Sequence, residues 1–78
     1  MDVPDLNYSG PVPLYVQIAD WIDRQVETGK LARGSKLPAE RDLAEMYQVA
    51  YLTVRRAMRE LRQRGTVITT VGRGTYIA

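Results

Sequence analysis

The 78-residue chain has neither cysteine nor histidine. Without cysteine it can build no disulfide framework and no thiolate metal site. Without histidine it lacks the commonest general base and the commonest metal ligand. Catalysis would fall to Asp, Glu, Lys or Tyr, whose placement is accounted for by helix surfaces and shows no convergent pair. Neither an enzyme nor a cofactor is expected. No apolar run approaches the ~20 residues that cross a bilayer. The opening stretch MDVPDLNYSGP is acidic and broken by proline, unlike a signal peptide. The expectation is a cytoplasmic protein with no membrane partner, built as one small domain. A chain this short buries roughly 60% of its unfolded surface, enough for a modest core.

Negative charge is scarce in one part of the chain. Residues 1–50 carry five Lys/Arg and eight Asp/Glu, a net of −3. Residues 51–78 carry six arginines against the single Glu60, a net of +5. Such asymmetry points to a partner that is itself a strong anion.

Residues 1–11, polar and interrupted by proline and glycine, read as a flexible N-terminal arm. Beyond them, Leu14, Ile18, Ile22 and Val26 recur at the i, i+4 spacing of an amphipathic helix, and Gly29 sits where it should stop. LARGSKLP reads as a turn, with Leu31 and Leu37 tucked under the helices. A second helix follows Pro38, with Leu43, Ala44 and Tyr47 on one face and Glu40 and Asp42 where the helix dipole favours acid. The linker YQVA leads to a third helix over about 51–63, closed by Gly65. Two short helices joined by so tight a turn fit a helix-turn-helix. The period then changes: TVITTV and TYI are strand-like, split by GRG, and predict a β-hairpin. There is no internal repeat.

The third helix carries the functional signal. Val54, Ala57, Met58 and Leu61 share one face and should be core. The opposite face gathers Leu52, Arg55, Arg56, Arg59 and Gln63, with Arg62 at its edge. A solvated face would mix signs into i, i+4 pairs; here only Arg56–Glu60 offers one. Guanidinium groups suit phosphate oxygens and match the O6/N7 edge of guanine. A helix of this size fits the major groove, where Arg55 and Arg59 could reach bases or phosphates and Leu52 a thymine methyl. Arg73 lies between Gly72 and Gly74 at the hairpin tip. That tip is either a turn chosen for its backbone or a second contact with an adjacent groove.

In this order and spacing, PLYVQIADWI, GKLARGSKLPAERDLAEMYQV, TVRRAMRELRQRG and GRGTYI resemble the N-terminal winged-helix domain of the GntR family of bacterial transcription regulators. The resemblance covers residues 13–77. It implies a mainly α fold with a small β-hairpin, a three-helix winged helix-turn-helix over residues 12–78. It also implies sequence-specific binding to double-stranded operator DNA, usually palindromic, by a dimeric regulator that is most often a repressor. The family's contacts fall on Arg41 of its LPSER-like motif, on Thr53 and Arg55 of TVR, and on Gly72, Gly74 and Thr75 of the wing. Where the family usually reads GVSRxTVR, this chain reads QVAYLTVR, so Ala50 replaces the serine that caps the third helix and Tyr51 replaces an arginine. Losing such a cap costs ~1 kcal/mol, which tertiary packing can offset. Tyr51 has two readings: a ring packed at the core edge beside Arg55 and Met58, or a group that touches DNA through its hydroxyl or ring.

Residues 12–78 are thus expected to be a DNA-binding domain with no effector domain and no small-molecule effector bound within the chain. It would be a homodimer on DNA and could be a monomer alone. The alternative is a winged helix that docks an acidic protein surface with the same arginines.

Overall fold

The computed structural model describes residues 2–78, in the order helix, helix, helix, strand, strand. Helix α1 spans Leu14–Glu27, α2 Glu40–Tyr47 and α3 Tyr51–Arg64, followed by β1 Val67–Thr70 and β2 Gly74–Ile77. This is the three-helix domain with an antiparallel hairpin that the sequence predicts, paired from Val67↔Ile77 to Thr70↔Gly74.

The i, i+4 stripe of α1 buries Ile18, Ala19 and Ile22 completely. Its end is satisfied locally: Thr28 donates its hydroxyl to the Arg24 carbonyl at 2.9 Å, and Gly29 takes a positive φ of 80°. From α2, Leu43 and Tyr47 meet this stripe, with the rings of Trp21 and Tyr47 edge to face at 5.9 Å. From α3 come Val54, Ala57, Met58 and Leu61, all fully buried. Val67 and Ile77 close the core from the hairpin. Burying a side chain of this size contributes ~1.5–3 kcal/mol, so α3, which packs on both other helices and on β1, is held by its apolar face. Among the described residues the buried Tyr47 hydroxyl finds no hydrogen-bond partner, and burial pushes its phenol pKa up.

Helix α3 opens as the sequence implies. Ala50 stands at the N-cap with extended backbone and offers no side-chain bond. Packing replaces the cap, since the buried face begins at Val54. The turn before it is made by Gln48 in the left-handed conformation, φ 55°, and by the Val49 N–H donating to the Ala44 carbonyl at 3.1 Å. At its far end Gly65, φ 80°, lets the Thr66 N–H donate to the Leu61 carbonyl at 2.9 Å.

One expectation needs correction. LARGSKLP is more than a turn, because its second half pairs with β2. The Gly34 N–H donates to the Ile77 carbonyl at 2.7 Å, the Ile77 N–H to Ser35 at 2.8 Å and the Leu37 N–H to Thr75 at 2.8 Å. These bonds frame an antiparallel bridge between Lys36 and Tyr76. Burial of Leu37 anchors the segment and satisfies the outer edge of β2, which would otherwise be open.

Met1 lies outside the described residues. The rest of the segment expected as an arm has no helix or strand and lies on the helices. Gln17 of α1 fastens it: its amide donates to the carbonyls of Asn7 (2.9 Å) and Val12 (2.8 Å) and accepts from the Asn7 N–H (2.9 Å). Leu6 packs against the core.

Candidate nucleic-acid interface

Turning the apolar face of α3 inward carries its arginines outward. Leu52, Arg55, Arg56, Arg59 and Arg62 line one shallow groove along the exposed side of the helix. Leu52 is 67% exposed and makes no part of the core. Thr53 is half-buried and donates its N–H to the Ala50 carbonyl at 3.0 Å. A second concave surface adjoins the start of the helix, lined by Lys36, Arg41, Tyr51, Arg73, Gly74 and Thr75 among others. The start of α2, the start of α3 and the hairpin tip, far apart in sequence, therefore share one surface.

The arginines are individually positioned. The Arg41 and Arg55 guanidiniums both lie over the Tyr51 ring, 5.6 and 5.8 Å from its centre. Tyr51 is 40% exposed and stands outside the core cluster. The ring therefore lies beside Arg55, as one of its two readings held, and beside Arg41 as well, outside the buried cluster that holds Met58. Glu40 reaches Arg55 at 3.8 Å, a long and exposed pair. Arg56 lies over the Tyr15 ring of α1 at 4.5 Å. Arg59 has no ion pair among the described residues.

The expected Arg56–Glu60 pair is absent, a second correction. Glu60 accepts instead from Arg64 at 2.9 Å, and Arg64 also donates to Asp20 at 2.8 Å and Asp23 at 2.7 Å on α1. The hydrogen bonds that Arg64 donates to Glu60, Asp23 and Asp20 push its pKa up. That stabilisation is complete below the ordinary arginine range and is lost only as pH rises through the raised value. Arg64 is a clamp between α3 and α1. Three carboxylates crowd it, while the outward arginines keep their charge for solvent.

At the hairpin tip, Gly72 and Gly74 both have positive φ, 77° and 125°. A Cβ at Gly74 would stand 2.8 Å from Lys36 Cε. Gly74 is thus required by its backbone conformation whatever binds there, since the end of the Lys36 side chain could swing aside. Arg73 closes the turn with its N–H on the Thr70 carbonyl at 3.0 Å and leaves its side chain exposed. Below it, Arg62 Nη1 donates to Thr69 Oγ1 at 3.1 Å, and Thr69 Oγ1 shares a hydrogen with Thr75 Oγ1 at 3.1 Å. This chain of bonds ties the wing to the last turns of α3. Sequence reasoning missed Lys36 and the strut made by Arg62. Only the alternation of Ser35, Lys36 and Leu37 hinted that Lys36 lies on extended backbone.

Among the described residues no acidic cluster could hold a metal ion, and no helix is long and apolar enough to cross a membrane.

Known proteins were compared with this chain. The profile of bacterial regulatory proteins of the gntR family matches residues 14–77. The transcriptional repressor NagR of Bacillus subtilis is 34% identical over 74 residues, which cover 95% of this chain and 30% of NagR. The transcriptional regulator SmoD of Agrobacterium fabrum is 41% identical over 68 residues, 87% of this chain and 29% of SmoD. The chain thus spans about a third of the length of these curated relatives. Among solved structures, the DNA-binding domain of AraR in complex with operator ORX1 superposes with a TM-score of 0.84 at 26% identity, over 100% of this chain and 96% of that one.

Proposed function

We propose that this chain, which belongs to the gntR family of bacterial regulatory proteins, is the DNA-binding domain of a transcription regulator. Helix α3 enters the major groove of a double-stranded operator, and the wing tip, residues 72–75, lies on the adjacent groove or backbone. One observation supports this above the others. The surfaces bearing Arg55, Arg56 and Arg59 and those bearing Arg41 and Arg73 adjoin at the start of α3, and among the described residues the one ion pair any of these arginines makes is the long, exposed contact of Arg55 with Glu40. A protein that contacts several phosphates binds with a steep salt dependence. The likeness to an operator-bound AraR domain supports the same docking, and the likeness to the repressor NagR supports repression. From the groove Arg55 and Arg59 reach bases or phosphates, Arg41, Arg56 and Arg73 meet the backbone, Leu52 and Thr53 the base edges, and Gly72, Gly74 and Thr75 shape the wing. Two copies on a palindromic site, in the cytoplasm, complete the proposal.

The test is selection of bound duplexes from a random pool. Recovery of a palindrome, with binding lost in Arg55→Ala, supports the proposal. Failure to bind any duplex at low salt would overturn it in favour of an acidic protein partner for the same face.

A further inference from the structure

Two arginines from different helices rest against one tyrosine ring. Arg41 belongs to the first turn of α2 and Arg55 to the second turn of α3, and both guanidiniums lie within 6 Å of the Tyr51 ring centre. The ring is 40% exposed, so it is neither a core side chain nor a free one. Tyr51 is the first residue of α3, where side chains lean toward the helix N-terminus, and this carries its ring out over the turn toward α2. Two cations near one ring repel each other. What holds them is the negative face of the π-system, which attracts each guanidinium.

We infer that Tyr51 is a positioning residue, whose ring restrains both Arg41 and Arg55 for phosphate binding before DNA arrives. The inference rests on the DNA-binding reading. Arginine is long and rotamer-rich, so ordering it on binding costs affinity, and a ring that has already restricted it removes part of that cost. A phosphate entering the groove that Arg41, Tyr51 and Arg73 line would meet the Arg41 guanidinium already restrained, and one entering the adjoining groove along α3 would meet that of Arg55. Glu40, at 3.8 Å from Arg55, offers a weaker and competing anchor in the free protein. The role belongs to the ring; the hydroxyl has no part in it.

The experiment compares the 78-residue chain with Tyr51→Phe and Tyr51→Leu. The probe is mixed-sequence duplex DNA titrated over a salt series. In parallel, proton shifts of the Arg41 and Arg55 δ-methylenes are read in the free proteins, where a nearby ring face moves them upfield. Tyr51→Leu lowers affinity about fivefold with an unchanged salt slope, because the same phosphates are contacted by less ordered arginines. Tyr51→Phe binds within about twofold of wild type and keeps the upfield shifts, which Tyr51→Leu loses. Equal losses in Phe and Leu would assign the effect to the hydroxyl and overturn the inference. So would wild-type affinity in Tyr51→Leu, or absence of the shifts in the wild-type chain. Wild-type chain that ignores the duplex at low salt, with the shifts intact, would instead defeat the DNA-binding reading and this role with it.

Discussion

Arg59 and Arg64 are the same residue little more than a turn apart on α3, and they serve different ends. Arg64 points back toward α1 and is held by Asp20, Asp23 and Glu60 at 2.7–2.9 Å. Arg59 points outward into a groove lined by three further arginines and Leu52. The helical rotation between them is enough to change one surroundings for the other. A basic helix is therefore not a uniform basic surface: its charge is usable only where neighbouring elements leave it unneutralised.

Substitutions can break this contrast. The largest effect is expected at Arg55, where Ala should cost about 2 kcal/mol of affinity for a selected duplex, close to thirtyfold, with the melting temperature unchanged. A titration paired with a thermal melt checks both halves. At Arg64 the expectation reverses. Arg64→Met should lose about 1 kcal/mol of stability and lower the midpoint by roughly 4–8 °C, while the folded variant keeps its salt slope. A fall in that slope would move Arg64 into the interface. Arg59→Ala should do what Arg64→Met does not, reducing the slope of log affinity against log salt by about one. The smallest change is expected from Glu40→Gln. Removing the carboxylate beside Arg55 should raise duplex affinity roughly twofold at low salt, an effect that fades as salt screens the charge.

Local pattern and tertiary structure divided the information unevenly. The core stripe of α3 was legible because Val54, Ala57, Met58 and Leu61 repeat at the helical period, and all four are fully buried. The stops at Gly29 and Gly65 were legible because both residues take the positive φ that other residues avoid. The pairing of residues 34–37 with β2 was not, since its partners are about forty residues away and no periodicity marks them. Glu60 was assigned to the wrong arginine for a similar reason. Arg56 and Arg64 are both four residues from it, and Asp20 and Asp23 on α1 decide between them. Tyr51 stayed open in the sequence because its neighbour Arg41 comes from another helix.

By itself, the sequence determined the order of elements, the inward face of each helix and the outward turn of the basic side, because hydrophobic period and glycine placement act over a few residues. Which arginines remain available was decided only by the tertiary structure. Asp20 and Asp23 remove Arg64, Tyr15 braces Arg56, and Tyr51 restrains Arg41 and Arg55. Charge acts through space, and packing alone sets which charges become neighbours.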